Sequence, residues 1–140
     1  MTTSTIAFAE TAPRTDALLR RTLAVNAIFS GLSGAAMIVL SGPIDRFMGL
    51  GLSWLLIVVG VGLLGFAALI GVNLRRSQLN RAEAWLTVAS DVSWVMGSAI
   101  IVFGFPDLLG TGGKWLVGLV AVAVADFALF QYLGLRRSRA

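Results

Sequence analysis

The residues best placed for chemistry in this chain are two carboxylates inside long apolar segments, Asp91 and Asp126. A carboxyl group in apolar surroundings is costly unless it is hydrogen-bonded or paired, so an acid at such a position needs a partner. The two acids occupy consecutive apolar segments, at similar distances from Arg-containing ends. We therefore expect Asp91 and Asp126 to be able to face each other.

Further polar residues occur at comparable depth on the first and third apolar segments. The expected intramembrane polar cluster comprises Asn26, Ser30, Asp91, Ser98 and Asp126. Three interpretations stay open. The cluster can hold helices in register, it can form a proton or cation path, or it can contact a partner subunit or a bound polar ligand.

The absent residue types exclude several classes of site. The chain has no cysteine and no histidine, which removes thiol chemistry, haem attachment and most zinc chemistry. No set of nucleophile, base and orienting group is visible, so we predict no catalytic residue, no cofactor and no metal ligand. Residues Gly60 to Gly65 match a dinucleotide-binding pattern, but they lie within an apolar segment with no preceding strand. We interpret these glycines as helix-packing residues.

The elements that must position these residues are four apolar segments. Only 13% of the 140 residues are charged and 57% are hydrophobic, whereas soluble domains carry about 25% charged residues. The four segments are Leu18 to Leu40, Leu52 to Leu74, Ala84 to Phe103, and Trp115 to Leu135. About 20 apolar residues in a helix cross a bilayer core of about 30 Å. The sequence therefore predicts an all-α transmembrane four-helix bundle in a lipid bilayer.

The basic residues predict the orientation of these spans. Every Lys and Arg except Arg46 and Lys114 falls on one side of the predicted membrane. Cytoplasmic loops carry the excess of basic residues, so both termini and the middle loop are predicted to be cytoplasmic. The expected location is the bacterial cytoplasmic (inner) membrane, with several passes. We interpret the net charge of +4 as contact with anionic lipid head groups and not with nucleic acid.

An internal repeat organises the chain. Leu74 to Ser77 recurs as Leu135 to Ser138, and Trp54 and Pro43 have counterparts in the second half. The repeat predicts two parallel-repeat helical hairpins, each entering and leaving on the cytoplasmic side. The predicted organisation is an N-terminal tail at residues 1–16 and a single transmembrane domain at 17–140, with repeat 1 at about 17–78 and repeat 2 at about 82–140.

Small residues predict how the helices pack. Membrane helices associate closely through small side chains spaced four residues apart. Such stripes occur on the first and third spans at Ala27, Gly31, Ala35, Ala89, Ser93 and Gly97. We expect the first and third spans to meet through these faces at the centre of the bundle, with a homo-oligomer contact as the competing use.

Residues 20–27 read Arg-Arg-Thr-Leu-Ala-Val-Asn-Ala, and Leu135 to Arg137 close the last span. In these features the chain resembles uncharacterised small four-span bacterial integral membrane proteins, a resemblance that implies the fold and no activity. In size and span count it also resembles small multidrug transporters and fluoride channels. However, its first span lacks the glutamate of the former, and it lacks the Gly-rich, Arg-containing signature of the latter.

The expected function is that of a non-enzymatic integral membrane protein. It would act as an accessory, assembly or scaffold component of a membrane complex, or as a homo-oligomer. Its expected partners are the lipid bilayer and either a larger membrane complex or further copies of itself, with no nucleic acid. The alternative is a small proton- or cation-coupled transporter or channel that uses Asp91 and Asp126.

Overall fold

A computed structural model describes residues 14–138 of the chain. Its elements, in order, are α1 (Arg14–Val39), α2 (Ser41–Met48), α3 (Ser53–Leu74), α4 (Arg81–Ala99), a π-helical segment (Ile100–Gly104) and α5 (Thr111–Arg137). No strand occurs between residues 14 and 138. The predicted all-α class is therefore confirmed.

Four of the helices, α1, α3, α4 with its π-helical extension, and α5, are long and apolar enough to cross a membrane. Large apolar side chains cover their outer surfaces, with Phe103 83% exposed and Val39 78% exposed. Soluble monomers rarely expose such a continuous apolar surface. These helices indicate a multi-pass membrane protein and confirm the predicted spans as helices.

Two features of the structure, a short helix after the first span and a π-helical segment at the end of the third, were not predicted. The short helix α2 follows α1 after one residue, and Pro43 lies in its first turn, where a missing N–H costs no helical hydrogen bond. Gly49, with φ of 67°, ends α2 in the left-handed conformation. The π-helical segment extends α4 toward the loop before α5. The predicted N-terminal tail, residues 1–16, lies outside the described residues except for 14–16, which begin α1.

The two long helices of each half pack together. α1 packs along α3, α4 packs along α5, and α1 also contacts α5, whereas α3 and α4 touch only sparsely. The backbones of α1 and α3 come close together at Gly34 and Gly60. A Cβ atom on Gly34 would lie 2.7 Å from the Gly60 carbonyl oxygen, and one on Gly60 would lie 2.7 Å from the Gly34 oxygen. Only two glycines allow this backbone contact.

The small-residue stripe of the first span has mixed surroundings. Ala27, at the middle of α1, packs against the buried core. A Cβ on Gly31 would make an ordinary contact with Ala67 Cβ of α3 at 3.7 Å, and Ala35 is exposed. The stripe therefore runs from the core to α3 and then to the surface.

The stripe of the third span is also not a helix contact. Ala89 and Ser93 are exposed, and no atom lies within 4 Å of a Cβ placed on Gly97. This corrects the expected pairing of the first and third spans. The physical reason is that Gly34 and Gly60, which have no side chains, allow α1 to pack closely against α3, and α4 packs on α5 instead.

One end of the bundle, which we call the Arg-rich end, contains the start of α1 and α4 and the end of α3 and α5. Arg20 Nη1 donates to Leu74 O at 3.1 Å, at the end of α3. Arg81 Nη2 donates to Leu135 O at 2.9 Å, near the end of α5. The last carbonyls of a helix have no hydrogen-bond partner within the helix. Each arginine therefore donates a hydrogen bond to one such carbonyl at the end of the next long helix in the chain. Both bonds join residues 54 apart in the chain.

Candidate intramembrane polar site

Asp91 is the centre of a buried polar cluster. Its Oδ2 accepts hydrogen bonds from Asn26 Nδ2 at 2.7 Å and from Gln131 Nε2 at 3.3 Å. Ser30 Oγ donates to Asn26 Oδ1 at 3.1 Å. Asp91 is 4% exposed, and the other three side chains are buried as well. We call these four residues the Asp91 cluster, and it joins α1, α4 and α5.

Helical periodicity explains why these side chains point inward. On α4, Asp91 continues a buried stripe that includes Ala84, Thr87 and Val88. At 1.5 Å per residue, the ten residues from Arg81 to Asp91 span about 15 Å. The cluster therefore lies about half a membrane core away from the Arg-rich end.

Asp126 lies outside this cluster. Its side chain is exposed on α5, and it makes no side-chain hydrogen bond or ion pair with residues 14–138. At 100° per residue, Asp126 and Gln131 are about 140° apart around the helix axis. Because the Gln131 face is turned inward, Asp126 is turned outward. The structure does not bring Asp91 and Asp126 together, which corrects the expected facing pair.

Ser98 also lies apart from the Asp91 cluster. It is buried, but it is seven residues beyond Asp91 on α4, about 10 Å farther from the Arg-rich end. It makes no side-chain hydrogen bond with the described residues, and it lines a cavity between α3 and α4. Of the five expected cluster members, the structure therefore joins Asn26, Ser30 and Asp91.

Gln131 is the member of the cluster that sequence analysis missed. It is 0% exposed, and its Oε1 has no hydrogen-bond partner among the described residues. The signal that could have found it is the spacing of the buried residues Val124, Ala128, Gln131 and Leu135 on α5. That spacing marks one helix face, and Gln131 is the polar residue on it.

The Asp91 cluster borders a cavity inside the bundle. The cavity has a volume of about 450 Å³ and is lined by α1, α3, α4 and α5, with Asp91, Ser30 and Trp94 in its wall. A second cavity of about 690 Å³ lies mainly between α3 and α4, and Ser90 and Trp94 line both. The two cavities therefore adjoin, and the larger one occupies the gap where α3 and α4 make few contacts.

The chemistry of the site is that of hydrogen-bond acceptance. Between residues 14 and 138, no group of three or more acidic, histidine or cysteine side chains could hold a metal ion. The Asp91 cluster instead offers carboxyl and amide oxygens at the edge of an apolar cavity.

No known protein family, curated protein or solved structure matches this chain.

Proposed function

We propose that the protein is a non-enzymatic integral membrane subunit that binds another transmembrane helix through the outward face of α5. It serves as an accessory, assembly or scaffold component, and the bound helix belongs either to a larger complex or to a second copy. We place it in the bacterial cytoplasmic membrane, with two duplicated hairpins and both termini in the cytoplasm.

The observation that carries this proposal is the outward position of Asp126. An acid at the centre of a membrane helix costs about 2.5 to 3.5 kcal/mol by insertion scales, and such residues normally face a bundle interior or a partner. Asp126 has no partner within residues 14–138 and is exposed on α5. A neighbouring helix that donates a hydrogen bond at this depth removes the cost, because the carboxyl group no longer faces hydrocarbon.

The residues around Asp126 form a suitable helix-binding surface. Exposed side chains follow one another at intervals of four and three residues along α5, and we call them the α5 seam: Trp115, Leu119, Val122, Asp126 and Leu129. This spacing is that of a heptad seam, in which side chains interlock with a partner helix. A single polar residue in such a seam fixes the register of the partner, and Asp126 is that residue here.

The arginine contacts support the duplicated topology. Arg20 and Arg81 occupy equivalent places in the two halves, and each bonds the leucine that precedes an Arg-Arg-Ser sequence. Equivalent contacts at both hairpins are what duplication of one hairpin would leave. The basic residues gathered at this end favour the cytoplasmic side for it.

Replacing Asp126 tests the proposal. We expect the wild-type chain, purified in lipid nanodiscs, to have the mass of a complex with its partner or with a second copy. Asp126→Leu should leave the fold intact, because Asp126 makes no hydrogen bond within residues 14–138, and should release a monomer. Asp107→Leu removes an exposed acid from the loop before α5 and should keep the complex. A monomeric wild type, or a complex unchanged by Asp126→Leu, would contradict the proposal.

The second candidate is a proton- or cation-coupled transporter or channel. The position of Asp91 in the wall of the central cavity favours it, although Asp126 takes no part. Proteoliposomes under a pH gradient provide the test. If Asp91 moves protons or cations, Asp91→Asn abolishes the flux, and normal flux in that variant rules this candidate out.

A further inference from the structure

The cavity beside the Asp91 cluster has the dimensions of a ligand site. Its volume of about 450 Å³ lies within the range of small-molecule sites, roughly 300 to 1,000 Å³. Its wall is mainly apolar, with Phe29, Met37, Leu63 and Phe66 among the lining side chains. A molecule that fills this space must therefore be largely hydrophobic.

The carboxyl group of Asp91 leaves one acceptor oxygen unpaired in the wall of the cavity. Asp91 Oδ2 accepts two hydrogen bonds, but Oδ1 accepts none from the described residues. Gln131 Oε1 in the same cluster is buried and also without a donor. Unpaired acceptors in an apolar interior are costly, so an occupant that brings N–H groups to Asp91 gains more than one that brings only hydrocarbon.

We propose that the central cavity binds a hydrophobic amine, with its ammonium group against Asp91 and its apolar part among the aromatic side chains. An ammonium group carries three donors, no acceptor and a positive charge, which matches a carboxyl group with a free oxygen. The aromatic rings of Trp94 and Phe29 in the same wall can also attract a cation. The binding site is independent of the α5 seam, which lies on the outward face of the bundle.

The bundle offers such a molecule a path from the bilayer. The larger cavity between α3 and α4 shares Met37, Val59 and Trp94 with the central one. Because α3 and α4 touch only sparsely, an amine whose alkyl chain is held in the bilayer can enter sideways between these helices. It then meets the Asp91 cluster without crossing the Arg-rich end.

Equilibrium dialysis of radiolabelled octylamine against the protein in phosphatidylcholine nanodiscs tests this site, with empty nanodiscs as the blank. Alkylamines, like the lysine side chain, are protonated at neutral pH. We expect saturable binding of one amine per chain, weakened at least about tenfold by Asp91→Asn, as expected for a lost charge-assisted hydrogen bond. Asp107→Asn removes an exposed acid that lines neither cavity, and this variant should bind octylamine as the wild type does.

A second pair of variants tests the cavity without changing a charge. Gly62 lines the central cavity and Gly65 does not, and no atom lies within 4 Å of a Cβ on either. Gly62→Leu should therefore reduce octylamine binding by occupying the space, whereas Gly65→Leu should leave it unchanged. Absence of saturable binding, equal affinity in Asp91→Asn, or octanol competing as well as unlabelled octylamine would each overturn the proposal.

Discussion

Asn26 and Asp91 join the two halves of the chain through one buried hydrogen bond, Nδ2 to Oδ2 at 2.7 Å. This bond connects α1 to α4, two helices whose backbones are not close neighbours. Gln131 on α5 donates to the same oxygen. The acid thus links three helices at one point, which is the arrangement expected of a side chain that holds a membrane bundle in register.

Removing Asn26 should destabilise the bundle. In Asn26→Ala, Asp91 loses its shorter hydrogen bond and Ser30 loses its acceptor. We expect the free energy of unfolding to fall by roughly 1 to 2 kcal/mol. Denaturant titration in detergent micelles, followed by circular dichroism, measures the change.

Ser98→Ala is the matched control for Asn26→Ala. Ser98 is a buried polar residue that makes no side-chain hydrogen bond with the described residues. Its replacement should change the free energy of unfolding by less than about 0.5 kcal/mol. Equal losses of unfolding free energy in the two variants would show that the Asn26–Asp91 hydrogen bond does not contribute measurably to stability.

The glycine contact between α1 and α3 gives a second stability prediction. In Gly34→Ala the new methyl group would meet the Gly60 carbonyl oxygen at 2.7 Å, so the helices must move apart. We expect a loss of about 1 to 3 kcal/mol in the free energy of unfolding. Gly31→Ala places its methyl group at an ordinary 3.7 Å from Ala67 Cβ and should be neutral or slightly stabilising. A larger loss of stability in Gly31→Ala than in Gly34→Ala would exclude the close contact between Gly34 and Gly60.

The arginine contacts at the Arg-rich end should contribute to both hairpins. Arg20→Ala frees the carbonyl of Leu74, and Arg81→Ala frees that of Leu135. Each change should lower the midpoint of thermal unfolding, by an amount corresponding to about 1 kcal/mol. Arg21→Ala removes an exposed arginine with no hydrogen bond to the described residues and should have no effect. A loss in only one of the two would argue against equivalent hairpins.

The membrane topology can be measured without background, because the chain contains no cysteine. Single cysteines at Ser77, in the loop between α3 and α4, and at Asp107, in the loop before α5, should lie on opposite sides of the membrane. With the Arg-rich end in the cytoplasm, a membrane-impermeant maleimide added to intact cells should label Asp107→Cys. It should reach Ser77→Cys only after the cells are opened, and the reverse pattern would refute the orientation.

The four spans could be predicted from the sequence because their length and apolar composition alone determine them. The rotation of each helix is harder to predict, since the outside of a membrane bundle is as apolar as its inside. Asp126 shows this: its depth resembles that of Asp91, but its face is opposite to that of Gln131. A residue's place along a helix does not determine what it faces.

The helix pairing could not be predicted from small residues for a related reason. Gly and Ala occur on several faces of these spans, and four-residue spacing marks more than one of them. Gly31 satisfies the pattern, but the tight backbone contact between α1 and α3 is at Gly34 and Gly60. Which small residues form the contact depends on the residues that lie opposite them on the neighbouring helix. Those opposing residues are known only once the bundle is assembled.

Photo-crosslinking in intact membranes tests the central claim, that the α5 seam binds another transmembrane helix. A benzophenone amino acid is placed at Leu129, which is 53% exposed on the seam, and separately at Val58, which is 57% exposed on α3. We predict a discrete protein adduct from Leu129 that Asp126→Leu abolishes, and no protein adduct from Val58. Equal adducts at both positions, or none from Leu129, would contradict the account.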